Sequence, residues 1–394
     1  MNSIKDRVAI IGMGCTRFGE LWDRSTSDLI VEAATDCAKS ADISLDQVDA
    51  YWLGTMDSGY SGLTLSTALK CDNKPVTRVE NLCASGSEAL RGAVYAVASG
   101  AYDVAMAVGV EKLKDSGYSG LTRKDPPDDG AATETTAPAA FSYLAPAYQH
   151  AYGIEASDLR SALTHIAVKN HANGARNPRA QFRTPVTEDA VNTSTTVAGT
   201  LGVLDCSGVA DGGAAALVVR AEDAHLYTDT PMYVKALSVV SGSGYGILDD
   251  EATFASIPEV VASARDAYRQ AGITDPGSQL DLAEVHDCFT PTELVLMEDL
   301  GFSERGQGWR DVLDGAFDPD GRLPVNIAGG LKSFGHPIGA TGLRMLFECW
   351  LQFRGEAGPR QLPSPKLALT HNLGGRPGRC VSFVGIVGSD LDSH

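Results

Sequence analysis

Apolar runs alternate with amphipathic stretches along the chain, and the same order of segments occurs twice. The stretch DLIVEAATDCAKSADIS from Asp28 aligns with PEVVASARDAYRQAGIT from Pro258 at an offset of 230 positions. In both stretches the apolar residues recur at helical spacing, which predicts one buried helical face. Strand-like runs follow, VDAYWLG from Val48 and LDLAEVHD from Leu280. The repeated strand and helix pattern predicts two similar α/β halves.

A nine-residue pattern supports the duplication. CASGSEALR begins at Cys83 and HPIGATGLR begins at His336, so that Gly86 falls over Gly339 at an offset of 253 positions. Each copy precedes an amphipathic stretch, which predicts that the thiol and the imidazole lie at equivalent helix starts, where partial positive charge collects. This arrangement is typical of a thiolate nucleophile and its base.

The two halves differ by an insertion in the first. The apolar run DVAMAVGVE from Asp103 is followed about a hundred residues later by AAALVVR from Ala214, whereas the corresponding runs of the second half are separated by a short Gly-rich turn. We therefore expect residues 1–117 and 206–230 to form the first half, 118–205 an inserted lobe that contains Pro126 and Pro127, and 231–394 the second half.

Composition limits the classes of function. The 394 residues are 43% hydrophobic and 21% charged, as in globular proteins, and 42 glycines suit many tight turns. The net charge of −18 argues against a nucleic-acid surface and against anionic membranes. Eight cysteines without metal-ligand spacing predict a reducing compartment and no resident metal. The N-terminus resembles no signal peptide, so the expected location is the cytoplasm.

Cys83 and His336 are the first candidates for chemistry. Cys83 follows the strand-like VTRVEN and precedes a helical run, a position that favours a thiolate, although a buried small apolar residue is the alternative reading. His336 lies between Gly335 and Pro337 in a segment rich in glycine. A neutral imidazole there can accept the thiol proton or donate to a carbonyl oxygen, whereas the alternative is a histidine that satisfies loop carbonyls.

A second group of candidates follows strand-like runs of the second half. His286 and Cys288 stand at the end of an apolar run, and such positions face the crevice where α/β proteins bind ligands. A structural cysteine is the alternative. His371 and Asn372, with Gly374, close a later run in the same way, and we expect their backbone N–H groups to help form an oxyanion hole. A Gly-rich hairpin turn explains the same residues equally well.

The motifs together resemble those of the thiolase superfamily over nearly the whole chain. NLCASGSEAL is similar to its nucleophile motif and GGLKSFGHPIGATG to its GHP motif, while VHDCF resembles the variant of archaeal and sterol-carrier-protein-type members, where conventional members carry NEAF. The resemblance implies an α/β thiolase fold: two duplicated βαβαβαββ halves that form a layered αβαβα core, with an inserted loop domain, assembled as a homodimer or homotetramer.

The resemblance also implies an activity, acyl-CoA C-acyl transfer. Cys83 would attack an acyl-CoA thioester and hold the acyl group, His336 would activate it, Cys288 would transfer protons on the second substrate, and His286 would assist the oxyanion site. The chain departs from conventional members where they carry a catalytic C-x-G, because it has His371-Asn372-Leu373 there. Cys380 is the rival second thiol, although its apolar surroundings favour packing.

Coenzyme A is the implied substrate, with no permanently bound cofactor. Its phosphates require cations despite the acidic total, and a run that resembles the KNH…NP…QF segment of the same branch offers five basic residues: Lys169, His171, Arg176, Arg179 and Arg183. A solvated helix face is the alternative. Four aromatic residues of the inserted lobe line either an acyl tunnel or the core: Phe141, Tyr143, Tyr148 and Tyr152. Members of this branch often have a small OB-fold, zinc-ribbon partner.

Two other functions compete with the acyltransferase. One is a thiolase-like lyase that cleaves a β-hydroxyacyl-CoA by retro-aldol chemistry, and the presence of Cys83 counts against it because such a lyase needs no acyl-accepting thiol. The other is a lipid-carrier or scaffold subunit without turnover. A carrier does not require Cys83, His286 and Cys288 together with His336, so the complete set favours an enzyme.

Overall fold

A computed structural model of the protein describes residues 3–115, 122–123, 135–244 and 253–392. The predicted boundary between 117 and 118, together with Pro126 and Pro127, lies outside the described residues. The strands are β1 Val8–Cys15, β2 Ala50–Gly54, β3 Val76–Val79, β4 Val104–Glu111, β5 Thr122–Arg123, β6 Thr135–Thr136, β7 Thr196–Ala198, β8 Leu201–Gly202, β9 Gly212–Arg220, β10 Met232–Ser241, β11 Leu282–Glu284, β12 Leu367–Arg376 and β13 Arg379–Gly388.

The helices follow the same chain order. They are α1 Thr26–Ser40, α2 Leu63–Leu69, α3 Ser85–Ala98, α4 Ala137–Phe141, α5 Leu144–Tyr152, α6 Ala156–Ala175, α7 Glu188–Asn192, α8 Pro258–Ala271, α9 Pro276–Gln279, α10 Thr290–Asp299, α11 Gly308–Leu313, α12 Gly330–Phe334 and α13 Thr341–Phe353. Strands and helices alternate in both halves, as the sequence predicts.

The main sheet shows the duplication directly. Within the described residues its order is β11-β12-β13-β10-β1-β9-β4-β2-β3. Read outward from the centre, β1-β9-β4-β2 of the first half mirrors β10-β13-β12-β11 of the second. The halves join where β1 pairs antiparallel with β10, through Ala9 opposite Tyr233 and Ile10 opposite Met232. The first half continues to the edge strand β3.

The layers follow from alternation along buried strands. On β1, Val8 and Ile10 pack into a central apolar cluster that includes α3, α13 and the inner residues of both sheet halves. Ala9 and Ile11 point the other way, against α1. The outer face of the second half is covered by α8. Because a strand buried on both faces needs helices on both sides, this gives the layered αβαβα core that the resemblance implies.

The two aligned helices form as predicted, α1 in the first half and α8 in the second. Ser25 and Asp28 form a reciprocal capping box at the start of α1, which satisfies backbone donors that a helix start otherwise leaves unpaired. The aligned residues Ile30 and Val260 are both fully buried. Val31 departs from the predicted face, because its side chain is 40% exposed.

The inserted lobe contains α4 to α7 and the short strands β5 to β8. Its long helix α6 packs against α10, α11 and α12 of the second half. The lobe therefore lies beside the segment that leads to His336. Among the described residues, no helix has the length and apolar character needed to cross a membrane.

Candidate active site

The two nine-residue motifs pack against each other through their glycines. A Cβ atom on Gly86 would lie 2.6 Å from the carbonyl oxygen of Gly339, and one on Gly339 would lie 2.5 Å from the carbonyl oxygen of Val110. A Cβ atom on Gly342 would meet Ser87 Oγ at 2.1 Å. Because a side chain at these positions would push the halves apart, the glycines allow α3 and the segment after His336 to touch. This contact brings Cys83 and His336 to one place.

The Cys83 segment is a tight turn before α3. Leu82 has a φ of 54°, a left-handed conformation that is costly for a leucine. Ser85 holds the turn, since its hydroxyl accepts from the Asn81 N–H at 2.9 Å and donates to the Leu82 carbonyl at 2.6 Å. Cys83 stands two residues before α3 begins, and it is partly exposed. The thiol is thus held at a helix start, as the sequence predicts.

The His336 segment is built differently, which corrects the prediction of equivalent helix starts. Helix α13 begins at Thr341, five residues after the histidine, because the backbone turns at Pro337 before the helix begins. His336 itself is extended, and its N–H donates at 2.8 Å to the carbonyl of Gly208, which follows the inserted lobe. The His336 backbone therefore lies outside α13, but its imidazole reaches the first residue of that helix, because Nδ1 lies 2.7 Å from Thr341 Oγ1.

A hydrogen-bond chain fixes the tautomer of His336. The Thr341 hydroxyl donates to the Pro337 carbonyl at 3.0 Å, so it must accept from His336 Nδ1 at 2.7 Å. Nδ1 then carries the ring proton and Nε2 keeps its lone pair. A neutral imidazole with this tautomer presents a proton acceptor on the side away from Thr341.

Three ligating or reacting atoms converge at this place. Cys83 Sγ and one ring nitrogen each of His286 and His336 all lie within 4.8 Å of one another. The two imidazole rings stand 5.3 Å apart between centroids and nearly perpendicular, at 84°. The candidates from three distant segments thus form one cluster at the junction of the halves.

The histidines of the cluster are neutral near pH 7. Burial lowers the pKa of His336 to about 3, with the Arg344 charge adding to the effect. Burial lowers the pKa of His286 well below its ordinary value, helped by His336 and His371. Because the resting site holds no imidazolium, a thiolate at Cys83 would have to depend on the helix start and on backbone donors.

Cys288 is a second thiol that is close enough to Cys83 to be influenced by it. Its side chain is 6% exposed, and its Sγ lies 3.6 Å from Thr292 Oγ1. Burial raises the pKa of this thiol well above its ordinary value, and the neighbouring Cys83 raises it further. Cys288 is therefore kept protonated and can act as a proton donor. Phe289 beside it stacks on Phe141 with ring centroids 5.0 Å apart.

His371 and Asn372 lie in the middle of β12, so the prediction that they close a strand is wrong. The β12–β13 hairpin turns later, after Arg376. His371 Nε2 contacts Ser382 Oγ at 3.3 Å. Asn372 accepts from the Ser87 hydroxyl of α3 at 2.6 Å and joins the halves. Gly374 allows close approach, because its Cβ atom would lie 2.2 Å from the Asn81 carbonyl oxygen.

Glu111 is a site residue that sequence reasoning missed. Its buried carboxylate, at the end of β4, accepts from the hydroxyls of Thr55 and Ser58 and from backbone N–H groups of residues 56–58. It also accepts from the Gly339 N–H at 3.0 Å, in the other half. Glu111 therefore anchors the His336 segment. The available signal was a carboxylate that ends a wholly apolar strand, AMAVGVE.

Asp287 anchors the same segment from its other end. Its carboxylate accepts from the N–H groups of Leu331 at 2.6 Å and Lys332 at 3.3 Å, and from the Asn170 side chain at 2.8 Å. Burial and, to a smaller extent, the nearby Glu293 carboxylate together raise the pKa of Asp287 to about 7. A titratable carboxyl group thus holds the backbone that leads to His336.

The structure divides the basic run that was predicted to bind CoA. Lys169 lies on the buried helix α6 and pairs with Glu293 at 2.6 Å, and His171 is 5% exposed, so both face the interior. Arg179 is half-buried and donates to the Cys15 carbonyl at 2.7 Å. Arg176 and Arg183 are exposed. The prediction of a loop-borne cluster is wrong for Lys169 and His171, because both side chains belong to the α6 packing surface.

The aromatic candidates of the lobe pack in the core. Tyr148 is fully buried and donates to the Glu298 carboxylate, and its ring meets that of Tyr152 at 4.8 Å. The Tyr143 hydroxyl donates to the Pro377 carbonyl at 3.2 Å. Phe141 is the aromatic residue of this set that lies near the candidate thiols, because it packs on Phe289, the residue that follows Cys288.

The fold and this cluster define a duplicated α/β protein with a cysteine and histidine site between its halves. The family model of the thiolase N-terminal domain matches residues 8–222, and that of the thiolase C-terminal domain-like family matches residues 246–384. The chain belongs to the thiolase family.

Individual relatives span nearly the whole chain. Acetyl-CoA acetyltransferase of Methanothermobacter thermautotrophicus is 41% identical over 94% of this chain and 97% of its own length. Human sterol carrier protein 2 is 33% identical over 93% of this chain and 70% of its own length. Among solved structures, the Ltp2-ChsH2(DUF35) aldolase superposes with a TM-score of 0.82 at 25% identity, with full coverage of both chains.

Proposed function

We propose that the protein is a thiolase-type acyl-CoA C-acyltransferase that forms an acyl-enzyme on Cys83. The observation that carries the proposal is the convergence of Cys83 Sγ with the nitrogens of His286 and His336 within 4.8 Å. The similarity to an acetyl-CoA acetyltransferase supports acyl-CoA as the substrate class. Coenzyme A acts as substrate, and the proposal includes no permanently bound cofactor.

The first half-reaction transfers the acyl group to the protein. His336 Nε2 accepts the Cys83 thiol proton while the sulfur attacks the thioester carbonyl carbon. When the tetrahedral intermediate collapses, the bond from carbon to the CoA sulfur breaks and the CoA thiolate takes the proton from His336. The low pKa of His336 favours rapid return of that proton to the leaving group.

The second half-reaction uses the other thiol. In the condensation direction Cys288, as a thiolate, removes the α-proton of a second acyl-CoA, the enolate carbon attacks the acyl carbonyl carbon on Cys83, and the carbon–sulfur bond breaks so that the Cys83 thiolate leaves. Cleavage of a 3-ketoacyl-CoA makes and breaks the same bonds in reverse, and Cys288, which burial holds protonated, then gives its proton to the carbanion. The enolate oxygen needs hydrogen-bond donors, and His286 is the ring beside Cys83 that is placed to donate.

Mass spectrometry after brief exposure to a panel of acyl-CoAs tests the acyl-enzyme. We expect a mass increase of one acyl group that peptide mapping places on Cys83 and that is absent from the Cys83→Ala variant. The Cys380→Ala variant is the matched control, since Cys380 is buried on β13 outside the cluster, and it should acylate normally. An adduct that persists in Cys83→Ala would contradict the proposal.

The retro-aldol lyase is the second candidate, and the similarity to an aldolase structure favours it. The discriminating variant is again Cys83→Ala. C–C cleavage of a β-hydroxyacyl-CoA at the wild-type rate in this variant would identify a lyase, because such cleavage needs no acyl-accepting thiol. If Cys83→Ala instead loses both acyl transfer and C–C cleavage, the result would support the acyltransferase. A carrier subunit would show neither activity in the wild type.

We also propose a homodimeric or homotetrameric assembly in the cytoplasm, with a small partner protein of the OB-fold, zinc-ribbon type. The aldolase relative supports the partner, because its name includes a ChsH2(DUF35) component. Sedimentation of the purified protein, alone and after co-expression with candidate neighbours, tests both proposals. A monomer that is fully active alone would contradict them.

A further inference from the structure

The atoms that converge at the site form a ligand set as well as a catalytic group. A thiol and two imidazoles from residues 83, 286 and 336 lie within 4.8 Å of one another. Thiolate and imidazole are the ligands that zinc and similar soft divalent cations prefer. Sequence spacing gave no such indication, because the three residues are far apart along the chain.

The contacts of the two imidazole rings are compatible with metal binding. Thr341 accepts the Nδ1 proton of His336, so Nε2 keeps the lone pair that a cation needs. A ligating histidine usually has a partner of this kind on its other nitrogen, which orients the ring. Within the described residues, His286 Nδ1 is buried without a hydrogen-bond partner. No hydrogen bond at Nδ1 therefore opposes a small rotation of that ring.

The geometry is close to a three-ligand site. Tetrahedral zinc places its nitrogen and sulfur ligands about 3.3 to 3.6 Å apart, so the cluster would need to contract by roughly 1 Å. Cys83 and His336 are partly exposed, which gives an ion access from solvent. Three protein ligands leave a fourth position open for water.

We propose that Cys83, His286 and His336 bind a soft divalent cation of the zinc class, and that the bound cation blocks the thiol. On binding, the thiol proton passes to solvent and a sulfur lone pair bonds to the cation, with no change in oxidation state. Magnesium should not bind, because the ligands lack oxygen donors and the nearby Asp287 carboxylate is engaged with Leu331 and Lys332. The blocking effect rests on the proposed function, whereas the binding does not.

Binding is tested on the full chain after chelator treatment. Titration with Co²⁺ should give a thiolate-to-cobalt charge-transfer band, and calorimetric titration with Zn²⁺ should give one equivalent. Cys83→Ser and His336→Asn should each weaken Zn²⁺ binding by at least about tenfold, and Thr341→Val by about 10- to 100-fold through loss of ring orientation. Cys71→Ser removes a comparably accessible thiol outside the cluster and should bind Zn²⁺ as the wild type does. Mg²⁺ should give no signal.

Blocking is tested by alkylation, which needs no turnover. Stoichiometric Zn²⁺ should slow iodoacetamide modification of Cys83 and leave that of Cys71 unchanged, and it should inhibit acyl transfer competitively with acyl-CoA. Wild-type Zn²⁺ affinity in Cys83→Ser, or a cobalt complex without the charge-transfer band, would overturn the proposed site. Zinc binding through Cys83 in a protein that never acylates would support the site and refute the proposed function.

Discussion

The two copies of the nine-residue motif end in arginines with opposite environments. Arg91 of α3 is partly exposed and pairs with Glu88 one turn away on the same helix. Arg344 of α13 is fully buried, pairs with Glu284 at 2.5 Å and lies over the Phe334 ring at 4.9 Å. One position of the repeated motif thus forms a surface pair in the half that carries Cys83 and a buried ion pair in the half that carries His336.

This difference extends to the catalytic segments. The Cys83 turn is held by the neutral hydroxyl of Ser85, whereas the backbone around His336 is held by two carboxylates, Asp287 and Glu111. The thiol segment is locally determined, and the imidazole segment depends on charges contributed by distant parts of the chain. The two duplicated halves have similar scaffolds, and asymmetric polar contacts distinguish the Cys83 segment from the His336 segment.

The arginine pair gives the largest expected effect. Arg344→Met leaves the Glu284 charge buried without its partner and should lower the free energy of unfolding by about 3 to 5 kcal/mol. Arg91→Met removes a partly solvated pair and should cost at most about 1 kcal/mol. Urea denaturation of both variants measures the difference. Equal losses would show that the two arginines have not diverged in energetic role.

The facing glycines should behave alike, in contrast to the arginines. A methyl group at Gly86 or at Gly339 would lie against backbone oxygen and should cost about 1 to 3 kcal/mol. Acyl transfer should fall in both variants, because the change separates Cys83 from His336. Gly277→Ala is the control, since its Cβ atom would be at ordinary contact distance, 3.5 Å from the Phe302 carbonyl oxygen. Full activity in Gly86→Ala would contradict the role of this contact.

The charged anchor predicts a pH dependence that the neutral anchor lacks. The pKa of Asp287 is raised from 3.8 to about 7, so the native state holds a proton that the unfolded state has lost between these values. Its stabilising contribution is present below about pH 4 and declines as the pH rises to about 7, by at most about 1.4 kcal/mol per pH unit. Asp287→Asn should remove this slope, and Ser85→Ala should leave it unchanged. Unfolding measured at several pH values checks both variants.

The histidines contribute with the opposite sign. The pKa of His336 lies at about 3 in the native state, against 6.5 unfolded, so its contribution is present above pH 6.5 and is lost as the pH falls toward 3. His336→Asn should therefore weaken the loss of stability in acid, a change that is separable from that of Asp287 by its sign, because the two pH ranges overlap. If the variant loses as much stability in acid as the wild type does, the result would contradict a neutral His336 in the native protein.

The inserted lobe is the largest difference between the halves. We expect the smallest change in stability when its exposed arginines are replaced. Replacing exposed Arg176 and Arg183 together by alanine should raise the KM for CoA several-fold with stability changed by less than about 0.5 kcal/mol. The effect should shrink at high salt, since it rests on exposed charges. Lys169→Met should instead change stability and leave the salt dependence of KM unaltered. An unchanged KM for CoA in the double variant would show that these two arginines of the lobe do not contribute to CoA binding.

The sequence by itself determined the order of strands and helices, the duplication and the candidate residues Cys83, His286 and His336 that converge between the halves. Helical spacing defined α1 and α8, and the repeated motif aligned Cys83 with His336. Both signals could be read because periodicity and short motifs are properties of neighbouring residues in the sequence. It misplaced His371 and Asn372, since the continuation of β12 depends on its pairing with β13.

The tertiary structure decided the contacts between distant residues. Glu111 meets the N–H of Gly339 across 228 positions, and Lys169 turns from a candidate CoA contact into a buried ion pair because Glu293 comes to face it. The tautomer of His336 and the neutral state of the histidines likewise follow from burial and from Thr341. Such properties depend on which polar groups surround a residue after folding, and a linear pattern does not record that.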